Sequence, residues 1–337
     1  MLLSIILALS LLIMQIRKSR RTLFALVFGV FLLCCYQVDA QKNVVVAQDG
    51  SGNYTTVQAA LDAVPKNNRL PITIYIKNGI YKEKLHLDSS KNFVRLKGEN
   101  RFKTILTYDD HAGKITPLGD TINTFTSYTF LIEGAHFSAQ NITFRNDAGS
   151  GAGQAVGLDV KGDKAAFINC RIIGNQDVLL AHAPNSREYY GNCYIEGTTD
   201  FIFGAATAFF DKCTIYCKKN SHITAASTPQ AHAFGFVFYR CKITGDTDVV
   251  NADLGRPWRD YAAVVYLHCY LGKCIAPQGW SNWRGTPRDK TARFAEYKNK
   301  GQGANASARV AWARQRTDEQ AQDYTVQHIF RDWKPLK

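Results

Sequence analysis

The 337-residue chain is 46% apolar and 20% charged, which supplies a substantial core and excludes a wholly disordered polypeptide. Forty-one Lys and Arg against 28 Asp and Glu leave a formal charge of +13. That surplus suits a polyanionic partner, whether nucleic acid, an acidic lipid surface or an acidic polysaccharide, without choosing among them.

Two apolar stretches, Leu2 to Ile16 and Leu23 to Tyr36, flank the basic run Arg17-Lys18-Ser19-Arg20-Arg21. Both fall short of the roughly 18 residues of a spanning helix, so no stable membrane anchor is expected. The second reads as an export signal, with a basic n-region, an apolar h-region and the small-residue exit Val38-Asp39-Ala40 before Gln41. Met14, just upstream of the basic run, offers an alternative start. Residues 1–40 are therefore assigned to a signal region removed near Ala40. Residues 41–337 are assigned to one domain, secreted to an extracellular or periplasmic space. Only four basic residues and one Asp lie in residues 1–40, so the remainder keeps a charge of +10.

Thr55-Thr56-Val57-Gln58 resembles a capping box opening a helix through Val64, stopped by Pro65. Its apolar face, Val57, Ala60, Leu61 and Val64, is suited to closing the first layer of whatever follows.

Seven cysteines follow the signal region, an odd number that cannot pair completely within one chain. None forms a CxxC, which argues against zinc. Asn169-Cys170-Arg171-Ile172, Asn192-Cys193-Tyr194-Ile195, Lys212-Cys213-Thr214-Ile215, Arg240-Cys241-Lys242-Ile243 and His268-Cys269-Tyr270-Leu271 share one template, with Cys and an aliphatic residue two apart. Ile142-Thr143-Phe144 fits it with Ile in place of Cys. Period-two alternation makes each a strand whose Cys and aliphatic residue face the same way. The intervals from Ile142 to Cys269 are 28, 23, 20, 28 and 28 residues. A strand repeating at that spacing is a solenoid signature, and small apolar residues at one inward site point to an all-β parallel β-helix with short capping helices at its ends. Cysteines stacked inside need no redox role, since a free thiol packs as a small hydrophobe. One or two disulfides between neighbouring coils are the alternative.

The register makes a further prediction. Asp177 lies seven residues after Cys170, and Asp200 seven after Cys193. Stacked cysteines would place the two carboxyls on adjacent coils, about 5 Å apart. A single Asp there is an ordinary strand terminator; two in one register cannot both ionise cheaply, so one keeps its proton to higher pH. That division suits an acid–nucleophile pair. Arg256, in Leu254-Gly255-Arg256-Pro257-Trp258, is restricted by the following proline and is the candidate bidentate partner of Asp200. Trp258 offers a flat face for a sugar ring. Gln176 precedes Asp177, and Gln154 lies 22 residues earlier, about one coil back; their amides can donate to a developing oxyanion, although either alone reads as ordinary polar surface.

Beyond these, the stretch from Trp280 to Ala308, rich in Arg, Lys, Gly and Asn, is expected to form long surface loops. Thr317-Asp318-Glu319-Gln320 opens a second capped segment running toward His328 and Phe330.

Gln154-Ala155-Val156-Gly157-Leu158, Gln176-Asp177-Val178-Leu179, Asp200-Phe201-Ile202-Phe203-Gly204 and Leu254-Gly255-Arg256-Pro257-Trp258 resemble the four signature segments of pectin methylesterases, and Gly79-Ile80-Tyr81-Lys82-Glu83 resembles a further family segment. The likeness runs in order from about Asn43 to Trp333. It implies a right-handed parallel β-helix that hydrolyses methyl esters of galacturonan without metal or organic cofactor. Carried over, the resemblance makes Asp200 the nucleophile, Asp177 the general acid and base, Gln176 with Gln154 the oxyanion donors, and Arg256 the anchor of Asp200. Trp258 would contact sugar, and Thr124 and Phe203 match positions near substrate. Val178, Leu180 and Gly157 depart from the common Thr, aromatic and Ala; the loss of an aromatic at Leu180 removes a stacking surface and leaves subsite preference open.

A retaining glycosidase also uses two carboxylates about 5 Å apart, but no Gly-His-Gly segment of the β-helix polygalacturonases occurs. A lyase would need clustered acidic ligands, and Asp109-Asp110-His111 is the only obvious group, far from the aspartates in sequence. Gly-x-Ser-x-Gly is absent, which disfavours a serine esterase. A non-catalytic polysaccharide adhesin would bind without turnover. Scattered basic residues and the lack of a nucleic-acid module favour an acidic polysaccharide, pectin, over nucleic acid as partner. The chain is expected to act as a monomer.

Overall fold

The computed structural model describes residues 44–335; the expected signal region and its cleavage point lie outside them. Strands of two to five residues are sorted into three sheets, of eleven, seven and eight strands, and every strand pair within them runs parallel. Apart from the first two strands and the last two, which pair within the eleven-stranded sheet, consecutive strands go to different sheets. One coil comprises Leu158–Val160 in the seven-stranded sheet, Ala165–Ile168 in the eleven-stranded sheet and Arg171–Ile173 in the eight-stranded sheet. The next coil, Leu179–Ala181, Arg187–Gly191 and Tyr194–Gly197, pairs with it strand for strand. The polypeptide therefore winds as a parallel β-helix, as the repeat predicts.

One corner of each coil explains the cysteine template. Asn141, Asn169, Asn192, Lys212, Arg240 and His268 all have left-handed backbones, with φ from 53° to 59°. Each sits immediately before a residue of the ladder and turns the chain from the eleven-stranded to the eight-stranded sheet. Asn tolerates this conformation best among residues with a side chain, and at the first three corners it also stacks: Asn169 Nδ2 donates to Asn141 Oδ1 at 2.6 Å and Asn192 Nδ2 to Asn169 Oδ1 at 3.2 Å. The following cysteines point inward. All seven described cysteines are free and buried, and ladder thiols donate to main-chain carbonyls, as Cys213 does to Tyr190 at 3.1 Å.

The core holds a second column that the sequence reading does not anticipate. Phe167, Tyr190, Phe210, Phe238 and Tyr266 lie ring over ring on successive coils, with centroids 4.3–5.0 Å apart and planes within 10°. In-register parallel strands repeat at about 4.8 Å, so flat rings at one position stack with no adjustment.

At the first coil the expected helix forms over Val57–Asp62, ending short of Val64, and its cap is not a Thr55–Gln58 box but Thr56, whose side chain accepts from Ala59 N–H; Val57, Ala60 and Leu61 are buried. Both Glu83 carboxylate oxygens also accept from this helix, from the N–H groups of Val57 and Gln58. The C-terminal segment forms two short helices, Asp318–Ala321 within the expected Thr317–Gln320 capping box and Val326–Phe330 capped by Thr325. Ile329 and Phe330 pack on Tyr189, Phe209 and Val237, from successive strands of the eleven-stranded sheet, so this helix lies along the outside of the sheet and not over its end as expected. The stretch from Trp280 to Ala308 departs from its expectation as surface loops. Trp280 is buried, and the strand Arg293–Tyr297 pairs with Ala263–Leu267. An interior Arg309–Glu296 ion pair, 3% and 4% exposed, accounts for charged residues that read as surface. Among the described residues, no helix is long and apolar enough to cross a membrane.

Candidate active site

The seven-stranded sheet carries the site on its outer face. Register aligns His86, Leu131, Asp159, Leu180, Phe203, Ala225 and Arg256 in one row across all seven strands. Side chains on a strand alternate, so the row faces away from the core. Its middle is apolar: Leu180, Phe203 and Ala225 cluster with Val156 and with the partly exposed Tyr128, Trp258 and Trp283.

Asp177 and Asp200 stand at the entrance of two neighbouring strands. Leu179 pairs with Ile202, so the residues two positions earlier, Asp177 and Asp200, occupy the same place on adjacent coils. Both have left-handed backbones, φ 60° and 49°. The Asp177 N–H donates to Thr199 O at 3.1 Å and the Asp200 N–H to His222 O at 2.7 Å, which continues the ladder through each turn. An aspartate tolerates this region better than most residues, so each turn costs little.

The two carboxyls differ in their partners. Arg256 grips Asp200 with two parallel bonds, Nε to Oδ1 at 3.0 Å and Nη2 to Oδ2 at 2.6 Å, and Asp200 is only 6% exposed. Asp177, 9% exposed, has no such cation. Burial and then the Asp200 charge push its carboxyl up to about 8, against a weaker opposing pull from Arg256 and from the Gln176 amide that bonds it. Asp177 therefore holds its proton at neutral pH beside a carboxylate locked to a guanidinium.

The remaining predicted residues gather around the pair. Gln154 and Gln176 form a parallel bridge, one coil apart. Phe203 lies in the floor at 3% exposure, with its ring 5.9 Å from that of Trp258. Thr124 opens a single 3-10 turn, Thr124–Thr126, capped by the Asn123 side chain. The Val156 N–H donates to Ser127 Oγ at 3.1 Å, which ties this turn to the segment carrying Gln154. Trp283 was not anticipated: its ring lies 4.2 Å from the Arg256 guanidinium, on which it stacks. Two tryptophans, Trp280 and Trp283, inside a charge-rich stretch were the available signal. Leu180 is buried in the floor and offers no ring for stacking. Among the described residues, no group of three or more His, Cys, Asp or Glu is gathered as metal ligands would be. Asp109 is bound by Lys82 and Lys114, and Asp110 by Lys84 and Lys114.

Comparison with known proteins places this geometry in a family. The pectinesterase family model matches residues 43–332. Pectinesterase 31 of Arabidopsis thaliana is 40% identical over 296 residues, spanning 86% of this chain and 92% of that protein. The pectin methylesterase structure from carrot superimposes with a TM-score of 0.78 at 36% identity, over 85% of this chain and 92% of that one. A pectin methylesterase structure in complex with a hexasaccharide superimposes with a TM-score of 0.76 at 29% identity, over 87% and 98%. The winding is the right-handed β-helix of these enzymes. The chain belongs to the pectinesterase family, enzymes that remove methyl esters from pectin.

Proposed function

We propose that this chain hydrolyses methyl esters of galacturonan through Asp200 as nucleophile and Asp177 as general acid and then base. The observation that carries the reading is the asymmetry of the aspartate pair, one carboxylate held by Arg256 and its register neighbour protonated at neutral pH. An Asp200 oxygen attacks the ester carbonyl carbon, and the carbonyl oxygen becomes an oxyanion that accepts hydrogen bonds from the amides of Gln176 and Gln154. The bond to methoxide breaks as Asp177 gives its proton to the departing oxygen, leaving methanol and an acyl-aspartyl anhydride. The Asp177 carboxylate then takes a proton from water, whose oxygen attacks the galacturonoyl carbon; Asp200 leaves as carboxylate and the product acid is released. Thr124, Phe203 and Trp258 line the approach to the sugar chain.

The substrate class is an acidic polysaccharide, in keeping with the basic surface and with the hexasaccharide held by a related enzyme. Residues 1–40 act as an export signal cut near Ala40, and the enzyme works outside the cytoplasm as a monomer. The test is product analysis on methylated pectin. Methanol release with unchanged chain length is expected; new reducing ends would make the chain a glycosidase, and unsaturated ends a lyase.

A further inference from the structure

The seven described cysteines divide unevenly. Five form the interior column, and each of those thiols donates to a main-chain carbonyl, as in Cys193 to Phe167 at 3.3 Å and Cys241 to Phe210 at 3.2 Å. Cys217 and Cys274 stand apart from that column. Cys217 ends the strand Thr214–Cys217, on the coil that carries Asp200, and Cys274 follows the strand Tyr270–Leu271, on the coil that carries Arg256.

The coil between them holds Gly245, paired in register with Cys217. A methyl group on Gly245 would lie 3.1 Å from Cys217 Cβ and 3.3 Å from Cys274 Cβ. The Cβ atoms of both cysteines therefore border the space that the missing side chain leaves, and there each thiol perturbs the other. They are 1% and 2% exposed. We propose that Cys217 and Cys274 close into a disulfide in an oxidising compartment, bridging the coil of the Asp200 carboxylate to the coil of its Arg256 anchor across Gly245.

The step needs an external oxidant, and a low-molecular-weight disulfide such as glutathione disulfide supplies it. One cysteine thiolate attacks a sulfur of glutathione disulfide and expels one glutathione thiolate. The second cysteine then attacks the mixed disulfide and expels the other. Two protein thiols lose two protons and two electrons, and one glutathione disulfide becomes two glutathione thiols. Burial of both sulfurs places the exchange during folding, before the last coils seal the interior. The ladder cysteines are less suited. Each of their thiols is already bonded to a main-chain carbonyl.

The test is a thiol map of the mature chain folded with glutathione disulfide in excess over glutathione, alkylated in denaturant, digested and analysed by mass spectrometry. Five alkylated cysteines and one cross-linked peptide pair joining Cys217 to Cys274 are expected. Reduction should lower Tm by about 5 °C, since the bridge closes a long loop. Cys274→Ser should lose both the cross-link and the reduction shift. Seven alkylated cysteines, a bridge confined to the ladder, or a Tm indifferent to reduction would overturn the proposal. If Cys274→Ser fails to fold, the thiol map of the unsubstituted protein decides alone.

Discussion

The turns at Asp177 and Asp200 share a register, a left-handed backbone and a main-chain bond to the following coil. Only one of them meets a guanidinium. Arg256 closes on Asp200 from beyond the next strand, while Asp177 faces burial and its neighbour's charge, which together push it up to about 8. Repetition of the coil places two identical side chains side by side. A break in the repetition, one arginine and the tryptophan stacked on it, makes them chemically unlike.

The most severe way to break this contrast is to delete its members in turn. Asp200→Ala should abolish turnover, because no other carboxylate stands in the Arg256 fork. Asp177→Asn keeps shape and polarity but has no proton of the right acidity to give, so kcat should fall by about 10²–10⁴. Methanol release from methylated pectin, with saturating substrate, measures both. Near-native activity in either variant would mean that the assigned chemistry is wrong.

Removing the arginine probes the coupling itself. With Asp177 as the proposed acid of the first step, activity of the unsubstituted enzyme should decline as pH rises through about 8. Arg256→Gln takes away a charge that holds Asp177 down and leaves the Asp200 charge that holds it up. The alkaline limb of the kcat profile should therefore move to higher pH, even as kcat itself drops by about 10- to 100-fold from the loss of a charge-assisted pair. A limb that stays in place would show that Asp177 and Arg256 are not electrostatically linked.

What was legible in the sequence was whatever the coil repeats. The cysteine template fixed the strand positions, and with them the shared register of Asp177 and Asp200. The aromatic column was equally periodic, since Phe167, Tyr190, Phe210, Phe238 and Tyr266 each stand three residues before a ladder cysteine. Its signal is weak because aromatic residues are plentiful elsewhere in the chain. Contacts made once carry no period. Trp283 reaches Arg256 from a loop, and the strand Arg293–Tyr297 hides behind charged residues that pair with each other inside the protein, Glu296 with Arg309. The shared place of Asp177 and Asp200 was readable from their register; the partner that separates them was readable only as a candidate until the fold brought residues 56 positions apart together.

A third carboxyl sharpens the comparison, because it is pushed up as Asp177 is but lies on a strand of the eleven-stranded sheet. Glu188 lies fully buried on the strand Arg187–Gly191, where Oε2 accepts from the Tyr190 hydroxyl at 2.6 Å and Oε1 from Ser186 Oγ at 3.0 Å. Burial raises it to about 8 from an ordinary 4.5, against the pull of those two bonds. Between those values the unfolded chain is ionised while the folded chain still holds the proton. The contribution of Glu188 to stability is therefore full below the unfolded pKa, falls as pH rises by up to about 1.4 kcal/mol per unit, and levels off above the folded pKa. Asp177 titrates in the same direction, so the two act together across the same window. Glu188→Gln removes one of the two while keeping a hydrogen-bonding side chain of the same size. Its chemical denaturation midpoint should fall less steeply between pH 5 and pH 8 than that of the unsubstituted protein, with activity at neutral pH little changed. Parallel slopes would mean that Glu188 is already ionised in the folded state. They would leave Asp177 as the buried carboxyl whose raised pKa the site puts to use.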